Sequence, residues 1–237
     1  MRALRIGLIL LAILGVLLVV ADRVAVRVAE GEVAAQTRSG LNLDEEPGVS
    51  IKGFPFLNQM LSKELGRVDL DLDSYQFQLD EQSGTVQDLS IQLHQVRLED
   101  GYSRATAESA SGDGIISYKE MGRLTTDDSA FGVAFSYAGN EQVTLQITVM
   151  GQAMGPEMVG DITVEGDTVS IEVEEIPSFK EIPVIGSIDG VEEQIREQLD
   201  RDRQVTGLPS GVELMDLVPT EDGLVLSVTG TDLRLAG

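Results

Sequence analysis

Hydrophobic and polar residues change rhythm twice along this chain. Residues 6–21 carry no polar side chain, following Arg2 and Arg5. Sixteen helical residues span roughly 24 Å, and Arg5 can extend the span by reaching back toward the headgroups. Two readings fit this leader: a retained transmembrane anchor over 1–21, or a signal peptide cleaved near Val19-Val20-Ala21. The positive flank lies on the N-terminal side, so both put the rest of the chain outside the cytoplasm. The next stretch, DRVAVRVAEGEVAAQTR over 22–38, keeps a three- and four-residue apolar step. It predicts a helix that prolongs the leader or folds back on the body. SGLNLDEEPG then reads as a loop, so 22–46 forms a helix and linker and 47–237 the main domain.

From residue 49 the period becomes two, the step of a strand. In RVDLDLDSYQFQLD, Val68, Leu70 and Leu72 alternate with aspartates, and the phase then slips to Tyr75, Phe77 and Leu79. The segment 85–99 slips likewise, from Leu89, Ile91 and Leu93 to Val96 and Leu98. Such slips predict bulges or bends near Ser74 and Gln95. Residues 102–111 are weakly patterned. Ser117 followed by Glu120 predicts a short capped helix to Leu124. Further strands follow through 131–175, with a tight turn at Glu165-Gly166-Asp167. Asp189 and Glu192 open a helix over 189–202, and two or three strands close the chain. Nine to eleven strands on hairpin-scale links, without βαβ alternation, predict an α+β fold built on a long, curved antiparallel sheet.

Composition narrows the function. A net charge of −23 excludes a nucleic-acid partner, which needs clustered Lys and Arg. It disfavours broad electrostatic attachment to an anionic membrane, so any lipid contact must be apolar or local. The absence of cysteine removes disulfides, thiolate metal sites and thiol nucleophiles. His94 is the single histidine, so no two-histidine zinc site forms within the chain. Alternation puts it opposite Leu93, as a surface strand residue. Asp69, Asp71 and Asp73 share one strand face about 7 Å apart in succession, which reads as solvated surface before it reads as a weak calcium site. The cluster Glu165, Asp167, Glu172, Glu174 and Glu175 reads the same way. No nucleophile elbow, Walker loop or G-x-G-x-x-G occurs. No carboxylate pair stands out as acid and base. The chain is therefore read as a non-enzyme, without metal or cofactor.

The stretch GVSIKGFPFLNQML, 48–61, places two of the six phenylalanines in one tripeptide, Phe54-Pro55-Phe56. One reading is a core turn: Gly53 permits an unusual backbone angle, Pro55 stiffens it, and both rings plug the body. The other is the lining or rim of an apolar ligand site, with Phe56, Leu57, Met60 and Leu61 along a cavity and Phe54 closing it. Lys52 is then the candidate for a lipid headgroup.

This segment resembles the most recognisable part of the LmeA-like family, phospholipid-binding proteins of actinobacterial-type cell envelopes. The string Pro47-Gly48-Val49-Ser50-Ile51-Lys52-Gly53-Phe54-Pro55-Phe56-Leu57 carries most of the likeness. Asp22-Arg23-Val24-Ala25 after the apolar leader, Val68-Asp69-Leu70, Ile116-Ser117-Tyr118-Lys119-Glu120, Gly207-Leu208-Pro209 and Asp222-Gly223-Leu224 support it. The resemblance implies a tubular lipid-binding type of fold, in which a curved sheet wraps a helix around an apolar cavity. It implies phospholipid and the membrane as partners, and a role in envelope lipoglycan (mannan) maintenance or lipid transfer. The strong acidity departs from what an anionic headgroup would favour. Two rival functions remain: an envelope scaffold without ligand, and an envelope lipid or glycan enzyme.

Overall fold

The computed structural model describes residues 2–79, 82–99, 104–125, 131–173, 175, 177, 202–206 and 208–235. The helix expected over 189–202, apart from its last residue, and the proline-containing 178–190 lie outside them, as does Gly207. The chain divides into two compact units. Four strands run through both: β2 (Glu64–Leu79), β3 (Gln82–Glu99), β4 (Arg104–Ile116) and β12 (Gly223–Leu235).

The first unit holds residues 1–72, 90–110 and 231–237. Its first element is one unbroken helix, α1 (Arg2–Leu41), of 40 residues, about 60 Å long at 1.5 Å per residue. Leu, Val, Ile and Ala supply good helix formers and no proline interrupts them. The leader and the following amphipathic segment are thus continuous. Burial changes abruptly along this helix. Every described side chain from 4 to 21 is exposed, whereas Asp22, Val26 and Ala34 are buried. Those three sit four and eight residues apart, on one face. Arg38 ends the helix by donating from Nε and Nη2 to the carbonyls of Leu43 and Asp44, at 3.4 and 3.1 Å, which favours a cation at the negative end of the helix. Asn42 beyond it adopts a left-handed φ of 51°.

β1 (Gly48–Lys52) pairs antiparallel with β2, from Gly48 opposite Asp71 to Lys52 opposite Arg67. The Glu30 carboxylate accepts the Ile51 amide at 2.9 Å and pins this strand to α1. The short helix α2 (Phe56–Ser62) follows. Phe56, Ile51, Leu65, Val68, Leu72, Leu93, Val96 and Ala107 form the core of this unit with Val26 and Ala34.

The second unit holds residues 73–89 and 111–230. It adds α3 (Tyr118–Leu124), β5 (Phe131–Gly139), β6 (Gln142–Val149), β7 (Gln152–Ala153), β8 (Met158–Glu165), β9 (Thr168–Val173), β10 (Arg203–Thr206) and β11 (Val212–Thr220). The strand order is β11-β12-β4-β3-β2-β10-β9-β8-β6-β5. β11 also packs against β8 and β5, to which it is not hydrogen-bonded, so the sheet curls within this unit. Val143, Leu145, Met158 and Leu224 are completely enclosed, each worth about 1.5–3 kcal/mol of burial. The fold is α+β on a large antiparallel sheet with an N-terminal apolar helix, as the periodicity predicted.

The phase slips are present in the burial. In β2 the buried positions pass from Val68 and Leu72 to Leu79, with Asp73 and Ser74 both exposed. In β3 they pass from Val86 to Leu89 and again from Leu93 to Val96. At those two points Asp88 and Gln95 have a left-handed φ of 50°, the conformation of an inserted bulge residue. β12 slips between Gly230 and Leu233, at Asp232 with φ 50°. The reading from sequence located the slips near Ser74 and Gln95 and missed those at Asp88 and Asp232.

The weakly patterned 102–111 belongs largely to β4, and the last two expected strands are one, β12. β4 escaped the pattern because its inward side chains are small: Ala107, Ala110, Gly112 and Gly114. A Cβ on Gly114 would lie 2.4 Å from Val86 Cγ1, so neighbouring strands approach there too closely for any larger residue. The tight turn at 165–167 is present, with Glu165 opposite Thr168 and Gly166 at φ +62°.

Candidate functional site

The stretch 52–63 is built around two residues that each tie it to something distant. Gly53 has φ +105°, which an L side chain rarely adopts, and a Cβ there would meet Gln59 Nε2 at 2.7 Å. The Phe54–Pro55 peptide is cis. Pro55 is the N-cap of α2, in extended conformation and without a hydroxyl or carboxylate of its own to cap with. Asp22 of α1 supplies one: its Oδ1 accepts the Leu57 amide at 2.9 Å. A carboxylate 35 residues earlier thus does the work of a local Ser or Asp cap. Asp22 is 2% exposed, and its Oδ2 has no hydrogen-bond partner among the described residues. Gln59 closes the other side. Its Nε2 donates to the Lys52 carbonyl at 3.2 Å and its Oε1 accepts the Gly66 amide at 2.9 Å. Lys63 ends the helix at φ 57°, and its carbonyl accepts the Leu98 amide at 2.9 Å.

The six residues singled out from sequence fall into three situations. Phe56 is a core residue at 4% exposure. Met60 is half-buried. Phe54, Leu57 and Leu61 are exposed, Leu61 by 84%. One ring of the aromatic pair plugs the body and the other does not. The exposed Phe54 ring lies under the Arg23 guanidinium, 5.1 Å from Cζ to the ring centre, a cation–π contact. Lys52 does not stand free: its Nζ donates to Ser50 Oγ at 2.8 Å and lies 3.4 Å from Asp69 Oδ2. Asp69 also receives Arg67 Nε at 2.5 Å and Nη2 at 3.1 Å. That hydrogen bonding holds its carboxyl below the usual carboxylate range and raises Arg67. The first member of the aspartate row is therefore an ion-pair partner. Asp71 accepts the Ser90 hydroxyl at 2.9 Å, and Asp73 is exposed. His94 is half-buried beside the buried Leu93.

Asp22, Arg23 and Gln59 were not singled out from sequence. The available signal was an Asp-Arg pair directly after sixteen apolar residues, where a buried carboxylate needs a donor.

An open, mostly polar pocket of about 440 Å³ lies at the far end of α1, lined by Ala35, Arg38, Ser39, Asn42, Leu43 and Glu46. None of the six residues lines it. Among the described residues no group of three or more His, Asp or Glu side chains converges as a metal site.

No curated protein and no solved structure matches the chain. The model of one family does, and it matches residues 20–229, from the last turns of the apolar leader to the final strand. The chain belongs to the LmeA-like phospholipid-binding family.

Proposed function

We propose that this chain is a membrane-anchored phospholipid binder whose folded part stands outside the cytoplasm, and that it holds its lipid without transforming it. The family match over residues 20–229 carries the reading. An aliphatic, aromatic-poor interior is its physical counterpart: each buried CH₂ of an acyl chain contributes about 0.8 kcal/mol, so two chains are held with few polar contacts. Segment 52–61 is the lipid-facing segment in this reading, with Phe56 as its base, Phe54, Leu57, Met60 and Leu61 as apolar contacts, and Lys52 beside the headgroup. In the envelope such a protein serves lipoglycan maintenance or moves lipid between sites.

The leader is retained in this reading. α1 passes through 19–22 without a break, and the residue after the candidate cleavage point is the buried Asp22 that caps α2. The span 4–21, about 27 Å as a helix, matches a hydrocarbon core of ~30 Å.

Purification of the full chain in mild detergent, followed by mass spectrometry of its organic extract, tests the binding. Phospholipid in stoichiometric amount is the expected result. A protein that is repeatedly empty and takes up no fluorescent phospholipid overturns it. A ligand-free scaffold is the second reading, and one observation favours it: the small inner face of β4 lets strands pack so closely that Gly114 leaves no room for a methyl group.

A further inference from the structure

The three exposed apolar side chains of the 54–61 segment have no counterpart elsewhere in the first unit's folded part. Phe54, Leu57 and Leu61 are 57%, 40% and 84% exposed. Soluble surfaces carry single exposed apolar residues, but three within one turn-and-helix form a patch that asks for a partner. Leu57 and Leu61 are one helical turn apart and share a face of α2. Two measured contacts fix where this face stands. The Leu57 amide bonds Asp22, and the Phe54 ring lies under Arg23. Asp22 and Arg23 are the two residues that directly follow the exposed apolar span 4–21 of α1. The patch is therefore continuous with the end of the one described helix long and apolar enough to cross a membrane.

Charge sharpens the choice of partner. The chain as a whole carries −23, yet the side chains bordering the patch are Arg23, Arg27 one turn further along α1, and Lys63 at the end of α2, all exposed. Asp22 is the nearest acid on α1 and it is buried. Apolar side chains rimmed by cations are the pattern of a segment lying in a phospholipid interface, with the cations at phosphate level.

We propose that α2 is an interfacial foot: Phe54, Leu57 and Leu61 insert into the headgroup–acyl boundary of the leaflet from which α1 emerges, and Arg23 and Lys63 meet its phosphates. The docked surface is the bilayer, not a carried lipid. This rests on the anchored reading only in placing residues 6–21 in a membrane.

The chain has no cysteine, so single labelled cysteines report each position without background. Full-length Leu61→Cys, Met150→Cys and Leu14→Cys, each bearing an environment-sensitive fluorophore, are reconstituted in anionic phospholipid vesicles with nitroxide-labelled lipids. Met150 is an exposed control in the second unit, at 86%, and Leu14 reports the anchor. The expected result is strong quenching at position 61 by shallow nitroxides, with several-fold less iodide access than at 150. Deep nitroxides quench position 14. Equal iodide access at 61 and 150 overturns the foot. Shielding at 61 from iodide without nitroxide quenching assigns the face to a protein partner and also overturns it. Quenching at 61 that persists in detergent with one bound labelled lipid assigns the residues to a carried lipid, with the same consequence. Failure of quenching at position 14 overturns the anchored reading itself.

Discussion

Two helices of seven residues, α2 and α3, solve the same problem in opposite ways. Each is too short to be stable alone. α3 is made from local parts. Ser117 caps it, accepting the Glu120 amide at 3.3 Å, and its apolar side chains Met121 and Leu124 are buried. Glu120 does not reach back to complete a capping box. It accepts the Thr85 amide at 2.9 Å and a two-pronged contact from Arg123, at 2.8 and 3.0 Å. Arg123 also donates to the Ser83 carbonyl. α2 has no local cap and buries Phe56 alone, while Leu57 and Leu61 face outward. Its cap comes from α1, at the point where the exposed apolar span ends. A helix that serves the core keeps its own cap and hides its apolar face. A helix held by the anchor and showing apolar side chains outward is arranged for contact.

The largest way to break this comparison is Phe56→Asp. It removes the one buried side chain of α2 and places an unpaired carboxylate in the core, at a cost of about 4 kcal/mol or more. Urea unfolding of the detergent-solubilised chain checks it. Leu61→Asp in the same assay changes stability by less than about 0.5 kcal/mol. An equal loss from both would mean that the outward face is structural. Met121→Ala in α3 comes next, with an expected loss of about 2–5 kcal/mol. If it costs no more than Leu61→Asp, α3 does not serve the core.

The caps give smaller effects. Asp22→Ala and Ser117→Ala each cost about 1 kcal/mol. The first speeds hydrogen exchange at the Leu57 amide, and the second at the Glu120 amide. Asp22→Asn, which keeps an acceptor, retains most of the protection at Leu57. Exchange at Leu57 that is indifferent to Asp22 would return α2 to the class of self-sufficient helices.

The smallest effect is a pH dependence confined to α3. Hydrogen bonding from Arg123, opposed by partial burial, holds the Glu120 carboxyl below its ordinary value. A depressed carboxylate stabilises the fold above its unfolded value, near 4.5, and that contribution is lost as the pH falls through the lower folded value. Glu120→Gln flattens this acid limb. Thermal melts of both chains from neutral to acid pH measure the difference.

Much of this was legible in the chain. Strands announced themselves where inward residues were large, as in Val68, Leu72, Leu89 and Leu93. β4 did not, because Ala107, Ala110, Gly112 and Gly114 are inward yet carry almost no hydropathy. Gly53 and Pro55 marked a special turn, but composition alone left both phenylalanines free to be core or rim. The separation of Phe54 from Phe56 depends on Arg23 and Asp22, 31 and 34 residues earlier by the numbering of the chain. Periodicity sees neighbours, and long-range capping has no period. The bulges at Asp88 and Asp232 were missed for a related reason. Asp is at home both in a solvated strand position and in a left-handed one.

The displaced positions in β2, β3 and β12 have a consequence for how such a chain tolerates length change. Each strand is read in one frame before its irregular residue and in the other after it, like a text with a shifted margin. Loss of a single residue at Asp88 or Asp232 would leave one stretch in register and turn the whole remainder inside out. Insertions and deletions in this protein therefore belong to its turns, and the odd residues within its strands are as fixed in number as they are free in identity.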